Sequence, residues 1–144
     1  MPVVEKSVLV AHSAQQMFHL VDAVEAYPQF LPWCSGTDVL HRDDERTRAT
    51  LHINYHGAKQ SFTTENAKEA PRRMSVRLVR GPFRVLEGEW RFHALAERAC
   101  KVEFRLHYEF SSRLLETLVG RVFSHIANTM VEAFVKRADE VHGT

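Results

Sequence analysis

Hydrophobic positions along this chain keep two rhythms. The start is β-rich, with Val4, Val8 and Val10 on one parity, and a period of two sends alternate side chains to opposite faces of a strand. From Thr37 to Ser111 the alternation returns, broken about every ten residues by turn signals, which predicts an antiparallel meander. In LHINYHG, Ala49, Leu51, Ile53 and Tyr55 share one face while Thr50, His52, Asn54 and His56 share the other. One side is therefore buried and the other wet. The same theme gives Phe62 and Thr64, then Met74, Val76 and Leu78, then Leu86, Trp90 and Phe92, then Val102, Phe104, Leu106, Tyr108 and Phe110. The opposite faces carry Arg73, Arg77, Glu87, Glu89, Arg91, Lys101, Glu103, Arg105, His107 and Glu109. DDER at 43–46, Gly81-Pro82 and the stretch from Ala96 to Arg98 are the predicted connections.

The second rhythm is helical. Ser13 and Gln16 form an S-x-x-Q capping box, and Met17, Phe18, Val21 and Val24 follow as an apolar stripe. That helix must end by Tyr27, because Pro28 disfavours helical geometry in the residue before it. Pro28 then opens a second short turn, PQFL, which Pro32 closes. After Ser111-Ser112, which can cap a helix, the stripe is Leu115, Leu118, Val119, Val122, Phe123, Ile126, Met130, Phe134 and Val135. Glu116, Arg121, Glu132, Lys136 and Asp139 lie opposite. This predicts one amphipathic helix of roughly 40 Å. The expected class is α+β: a curved antiparallel sheet, a long C-terminal helix laid across it, and short helices between the first two strands. Gly88 and Gly120 are the places where bending or close approach is easiest.

Composition narrows the function classes. At 144 residues and 44% apolar, the chain is expected to be one domain able to bury a core without metals or disulfides. Nineteen Lys and Arg face eighteen Asp and Glu, so attraction to nucleic acid or a membrane must come from local clusters. One such cluster is APRRMSVRLVRGPFRVL at 70–86, with Arg72, Arg73, Arg77, Arg80 and Arg84 and no acid. Cys34 and Cys100 stand outside any metal or redox spacing, and Cys34 reads as a small packing residue. The N-terminus lacks signal-peptide features and no run approaches the length of a membrane span, so the expected location is cytoplasmic. His52 and His56 share a strand face without a third ligand, so no metal site is expected. No nucleophile elbow, phosphate loop or dinucleotide fingerprint occurs, and the strand acids and most histidines fall on the wet face; no catalytic residues are assigned.

The stretches YPQFLPWC at 27–34, GPFRVLEGEWRF at 81–92, CKVEFRLHYEFSSRLLETLVGRVF at 100–123 and MVEAFVKRADEV at 130–141 together resemble the coenzyme Q-binding START-like family of the polyketide cyclase/START superfamily. Within it they look most like the bacterial ribosome-association toxin (RatA) branch. The resemblance implies the helix-grip fold, with an elongated apolar cavity between sheet and helix. It also implies two activities of different kinds: binding ubiquinone in support of respiration, which is the expected function, and, as the alternative, binding the large ribosomal subunit to block subunit joining, with an antitoxin as a further partner. A cyclase-like enzyme is the third class the fold admits.

Each implied site has a plainer alternative. A ligand-binding cavity would be lined by Leu51, Ile53, Tyr55, Phe62, Thr64, Met74, Val76, Leu78, Trp90, Phe104, Leu106, Tyr108, Val122, Phe123, Ile126 and Met130, with Tyr55 or Tyr108 donating to a quinone carbonyl; no other cofactor is called for. The alternative is that these residues only pack against the helix. Phe30, Leu31 and Trp33 would gate the entrance and touch a membrane surface peripherally, or else plug a corner shaped by two prolines. The five arginines would clamp RNA phosphates, or else pair with Glu87, Glu89, Glu103 and Glu109 across the sheet.

Overall fold

The computed structural model describes residues 2–143. Along the chain run β1 (Val3–Val10), α1 (Ala14–Asp22), a 3₁₀ helix (Val24–Gln29), β2 (Cys34–Arg42), β3 (Arg46–Tyr55), β4 (Ala58–Glu69), β5 (Arg73–Arg80), β6 (Phe83–Ala96), β7 (Ala99–Phe110) and α2 (Arg113–His142). The strands form one antiparallel sheet in the order β1-β7-β6-β5-β4-β3-β2. The meander is thus β2 to β7, and β1 adds to the far edge beside β7. The α1 and 3₁₀ segment carries the chain from one edge of the sheet to the other.

The expected capping box is present: Ser13 Oγ accepts from Gln16 N–H at 3.0 Å, and Gln16 Oε1 accepts from Ser13 N–H at 3.0 Å. The helix stops earlier than Pro28 requires, at Asp22. The following turn begins at Val24 and contains Pro28 rather than starting from it. A tertiary bond explains this: the Tyr27 hydroxyl donates to the Val21 carbonyl at 2.5 Å, so the end of α1 is capped by a side chain from the next turn. The sheet also starts sooner than expected, because Cys34 already pairs with Ile53. His56 leaves the wet strand face and forms, with Gly57, a turn in which both have positive φ (48° and 83°), the backbone that suits the twist of a two-residue hairpin.

Ser112 caps α2, accepting from the Leu115 N–H at 3.2 Å. Thirty residues make it about 45 Å long. The inward stripe begins at Val119 and continues through Phe123, Ile126, Ala127, Val131, Phe134 and Ala138. Leu118, expected in that stripe, is 62% exposed, since each residue turns the helix by about 100° and carries Leu118 off the face that holds Val119. Two aromatic clusters fill the space between helix and sheet. Phe134 meets Tyr27, Phe30 and Trp90 at 5.2–5.4 Å, while Phe123 meets Phe83 and Tyr108 at 4.8 and 4.7 Å. Gly88 is required where the sheet bends, because a Cβ there would lie 2.5 Å from the Arg105 carbonyl oxygen.

Candidate functional site

Between the two aromatic clusters lies a cavity of about 70 Å³. Of the residues expected to bind a ligand, Leu51, Phe62, Thr64, Val76, Trp90, Phe104, Leu106, Phe123, Ile126 and Met130 line it. Val21, Val24, Tyr27, Asn66, Leu86 and Ala127 complete the wall. Val21 and Val24 were visible as a helical stripe, and Asn66 continues the parity of Phe62 and Thr64, so the sequence held their signals.

The remaining candidates sit elsewhere. Leu31, Trp33 and Met74 are buried in core packing outside the cavity wall. Ile53 and Val122 line a separate crevice of about 10 Å³ beside Phe83 and Val119. Leu78 packs half-buried against the core. Tyr55 is half-buried with its ring stacked on His125 at 5.8 Å. Tyr108 packs among Phe83, Phe110 and Phe123, and burial pushes its pKa up. Neither tyrosine expected to meet a quinone carbonyl therefore lines the cavity. Phe30 lies edge-on to Tyr27 and Phe134 with the Arg137 guanidinium 5.2 Å from its ring centre. Within YPQFLPWC it is Tyr27 that reaches the cavity.

The polar groups of the wall are few and specific. Thr64 Oγ1 donates to Asn66 Oδ1 at 3.3 Å, and Asn66 Nδ2 donates to Met74 Sδ at 3.6 Å. A thioether sulfur is a weak acceptor, so the Asn66 amide is the wall's donor with most to gain from a ligand carbonyl. Burial pushes the Tyr27 hydroxyl far above the usual tyrosine range, and it stays a neutral donor to Val21. The wall holds no acid, histidine, lysine or arginine, and its Tyr27 hydroxyl is engaged by the Val21 carbonyl. On the same inward row as Asn66, Lys68 Nζ reaches both Asp22 oxygens at 3.3 and 3.4 Å, and Thr47 Oγ1 donates to Asp22 Oδ1 at 3.3 Å. This ion pair fastens the end of α1 over β3 and β4.

The arginine run does not stay together. Arg73 bonds Glu69 at 3.2 Å and Glu89 at 2.6 Å, Arg77 bonds Glu65 at 2.9 Å, and Arg72 lies 3.9 Å from Glu69. Arg84 pairs with Glu109 beyond the β5–β6 turn, and Arg80 makes no ion pair within the salt-bridge distance among the described residues. Glu89 and Glu109 are two of the four expected partners; Glu87 and Glu103 are engaged by His107 and His93 instead. His52 is held between Asp38 and Ser61, at 2.7 and 2.6 Å. Among the described residues no group of three or more candidate ligands could hold a metal, and no helix is long and apolar enough to cross a membrane. Burial raises the Cys34 thiol pKa, in keeping with a packing residue.

A curved antiparallel sheet gripping a long C-terminal helix over an apolar pocket defines the helix-grip class. The chain belongs to the family described as polyketide cyclase / dehydrase and lipid transport, whose profile matches residues 10–135. It is 44% identical over 140 residues to the ribosome association toxin RatA of Vibrio cholerae serotype O1, covering 97% of each chain. It is 30% identical to the mitochondrial coenzyme Q-binding protein COQ10 homolog B of Xenopus laevis, across 96% of this chain and 58% of that one. The crystal structure of the Zhui aromatase/cyclase from Streptomyces sp. R1128 shares the fold, with a TM-score of 0.79 at 18% identity over 96% of this chain and 93% of that chain.

Proposed function

We propose that this chain is a cytoplasmic, non-enzymatic, single-domain protein that associates with the ribosome, as the name of its RatA relatives says of them, and that it does so through the large subunit. One observation carries this reading: the similarity to RatA runs through 97% of both chains at 44% identity. The cavity wall, which carries no carboxylate, imidazole, amine or guanidinium and whose Tyr27 hydroxyl is tied to the Val21 carbonyl, supports a binding role over a cyclase-like one. The test is co-sedimentation of the purified protein with separated ribosomal subunits on sucrose gradients. Recovery with the large subunit, and inhibition of subunit joining, is the expected result; a protein that stays at the top of the gradient overturns it.

A second reading rests on the cavity itself. An apolar wall with one underused amide donor suits a hydrophobic ligand carrying a carbonyl, such as ubiquinone. At about 70 Å³ the space accepts part of a head group, so a quinone would enter by spreading α2 from the sheet. Organic extraction of the protein purified from a quinone-producing bacterium, with mass spectrometry of the extract, tests this. A stoichiometric quinone supports ligand binding, and a lipid-free protein removes it.

A further inference from the structure

The outer face of the sheet gathers arginines that are far apart in sequence. Glu65, on β4, accepts from three guanidinium groups at once: Arg46 Nη1 at 3.1 Å, Arg48 Nη2 at 3.1 Å and Arg77 Nη2 at 2.9 Å. Register explains the convergence, since Glu65 lies directly between Arg48 on β3 and Arg77 on β5. One row along, Ala67 sits between Arg46 and Ser75, and Glu69 lies opposite Arg73. The result is a floor of small side chains, Ala67 and Ser75, with Arg46, Arg48, Arg73 and Arg77 standing around it. Glu65 neutralises one of the three arginines that bond it, while Glu69 and Glu89 pair with Arg73, so the excess positive charge lies on the Arg46, Arg48 and Arg77 side.

Such a carboxylate does more than reduce charge. Each guanidinium has about five N–H donors and gives one of them to Glu65, so the groups are held in place with most donors facing out. Pre-orientation lowers the entropy lost when they bind an anion. Strand spacing puts Arg48 and Arg77 about 10 Å apart across the sheet, and Arg73 and Arg77 about 13 Å apart along β5. A shallow depression of about 360 Å³ runs alongside, bordered by Arg73, Arg77 and Arg105 and by the carboxylates Glu87 and Glu89. Several fixed, outward-facing forks spread over this distance match successive phosphates of a nucleic-acid backbone better than one isolated anion.

We infer that this platform, centred on Glu65 and carried by Arg46, Arg48, Arg73 and Arg77, binds the phosphate backbone of structured RNA. The inference rests on the ribosome-association reading and names the surface it uses. Phosphate contact supplies affinity without base reading, so the platform would take an RNA helix by shape and charge. Arg46 and Arg48 lie outside the arginine run at 70–86, whereas Arg84, inside it, is outside the platform.

The test compares wild type with Arg48→Glu/Arg77→Glu and with Arg84→Glu, using purified large ribosomal subunits and an RNA duplex of roughly 16 base pairs. The double variant should bind both probes at least about tenfold more weakly. Its plot of log affinity against log salt should flatten by about 1.4–1.8, the loss of two phosphate contacts. Arg84→Glu should behave as wild type. Should circular dichroism show the double variant unfolded, Arg77→Gln alone, on a side chain 71% exposed, reads the same flattening at half the size. If wild type binds subunits and the double variant binds them equally well, the platform is wrong and the ribosomal reading stands. If the duplex binds through these arginines while subunits do not bind at all, the platform stands and the ribosomal reading falls. Equal losses in all variants, or no binding of either probe, overturn the platform.

Discussion

His12 and Asp139 stand 127 positions apart in the chain and are joined by a hydrogen bond of 2.7 Å between Nε2 and Oδ1. His12, 3% exposed in the turn after β1, thereby holds the last turns of α2 against the edge of the sheet. Removing the imidazole unties the helix end and leaves a buried space. His12→Ala should cost about 1–3 kcal/mol, read as a lower urea midpoint with an unchanged m-value. Asp139→Asn, which keeps an acceptor oxygen at a half-exposed position, should cost less than about 1 kcal/mol.

Gly88 and Gly120 should respond to alanine with opposite signs. At Gly88 a methyl group would sit 2.5 Å from the Arg105 carbonyl oxygen and 3.0 Å from Leu106 Cδ1, and the carbonyl cannot move without bending the sheet. Gly88→Ala should destabilise by about 1–3 kcal/mol. At Gly120, inside α2, the nearest atoms to an added Cβ are 3.8 and 4.0 Å away. Gly120→Ala should stabilise by about 0.5–1 kcal/mol. Thermal unfolding of the two single variants checks both.

Asp43, at the tip between β2 and β3, accepts from His41 Nε2 at 2.8 Å and from the Glu45 and Arg46 N–H groups at 2.8 and 2.7 Å. The His41 bond and the two backbone bonds hold its pKa down at about 2, against an ordinary 3.8. A carboxyl depressed on folding stabilises the fold above its unfolded pKa and loses that contribution as the pH falls through the folded one. The turn should therefore loosen between about pH 4 and pH 2. A carboxyl-carbon NMR titration should place this aspartate near the bottom of the series, and Arg46→Ala, which leaves the three bonds to Asp43 in place, should leave it there.

Cavity binding should separate from RNA binding. Val76 lines the cavity and is half-buried, so Val76→Trp can fill the space without dismantling the core. Capture of a hydrophobic quinone, followed by quenching of tryptophan fluorescence, should weaken at least about tenfold. Asn66→Leu should weaken a carbonyl-bearing ligand more than a plain hydrocarbon of the same size, because only the first loses a donor. Neither substitution should alter affinity for the RNA duplex.

How far the sequence announced this structure depends on the distance over which each decision is made. Strand faces, the capping box and the core stripe of α2 follow from neighbours within a few residues, and they were legible. The stop of α1 at Asp22 was not, because it is fixed by a hydroxyl arriving from Tyr27. Near Thr63 the alternation slips at a register shift, leaving Phe62, Thr63 and Thr64 all buried. Asn66 nevertheless keeps the parity of Phe62 and Thr64. The basic surface shows the same effect more strongly. A run of arginines is a fact about adjacency along the chain, whereas a sheet face takes every second residue from three strands and gathered Arg46 and Arg48 from elsewhere. The small volume of the cavity had no signature at all, since alternation marks burial and is silent on packing density.

The order of strands also carries a consequence for synthesis. β1 emerges first, yet its partner is β7, with Val10 opposite Cys100. At about 5–20 residues per second, roughly 90 residues of chain must follow before that partner exists, a wait on the order of 5–20 s. The hairpins from β2 to β7 can close locally in that time, while β1 and α1 wait with Val4, Val10 and Phe18 unburied. Glu5 and Lys6 place charge within β1, the kind of residue that disfavours pairing of an uncovered strand with another chain. The first strand made is thus the last one seated, and its docking completes the sheet on which α2 comes to rest.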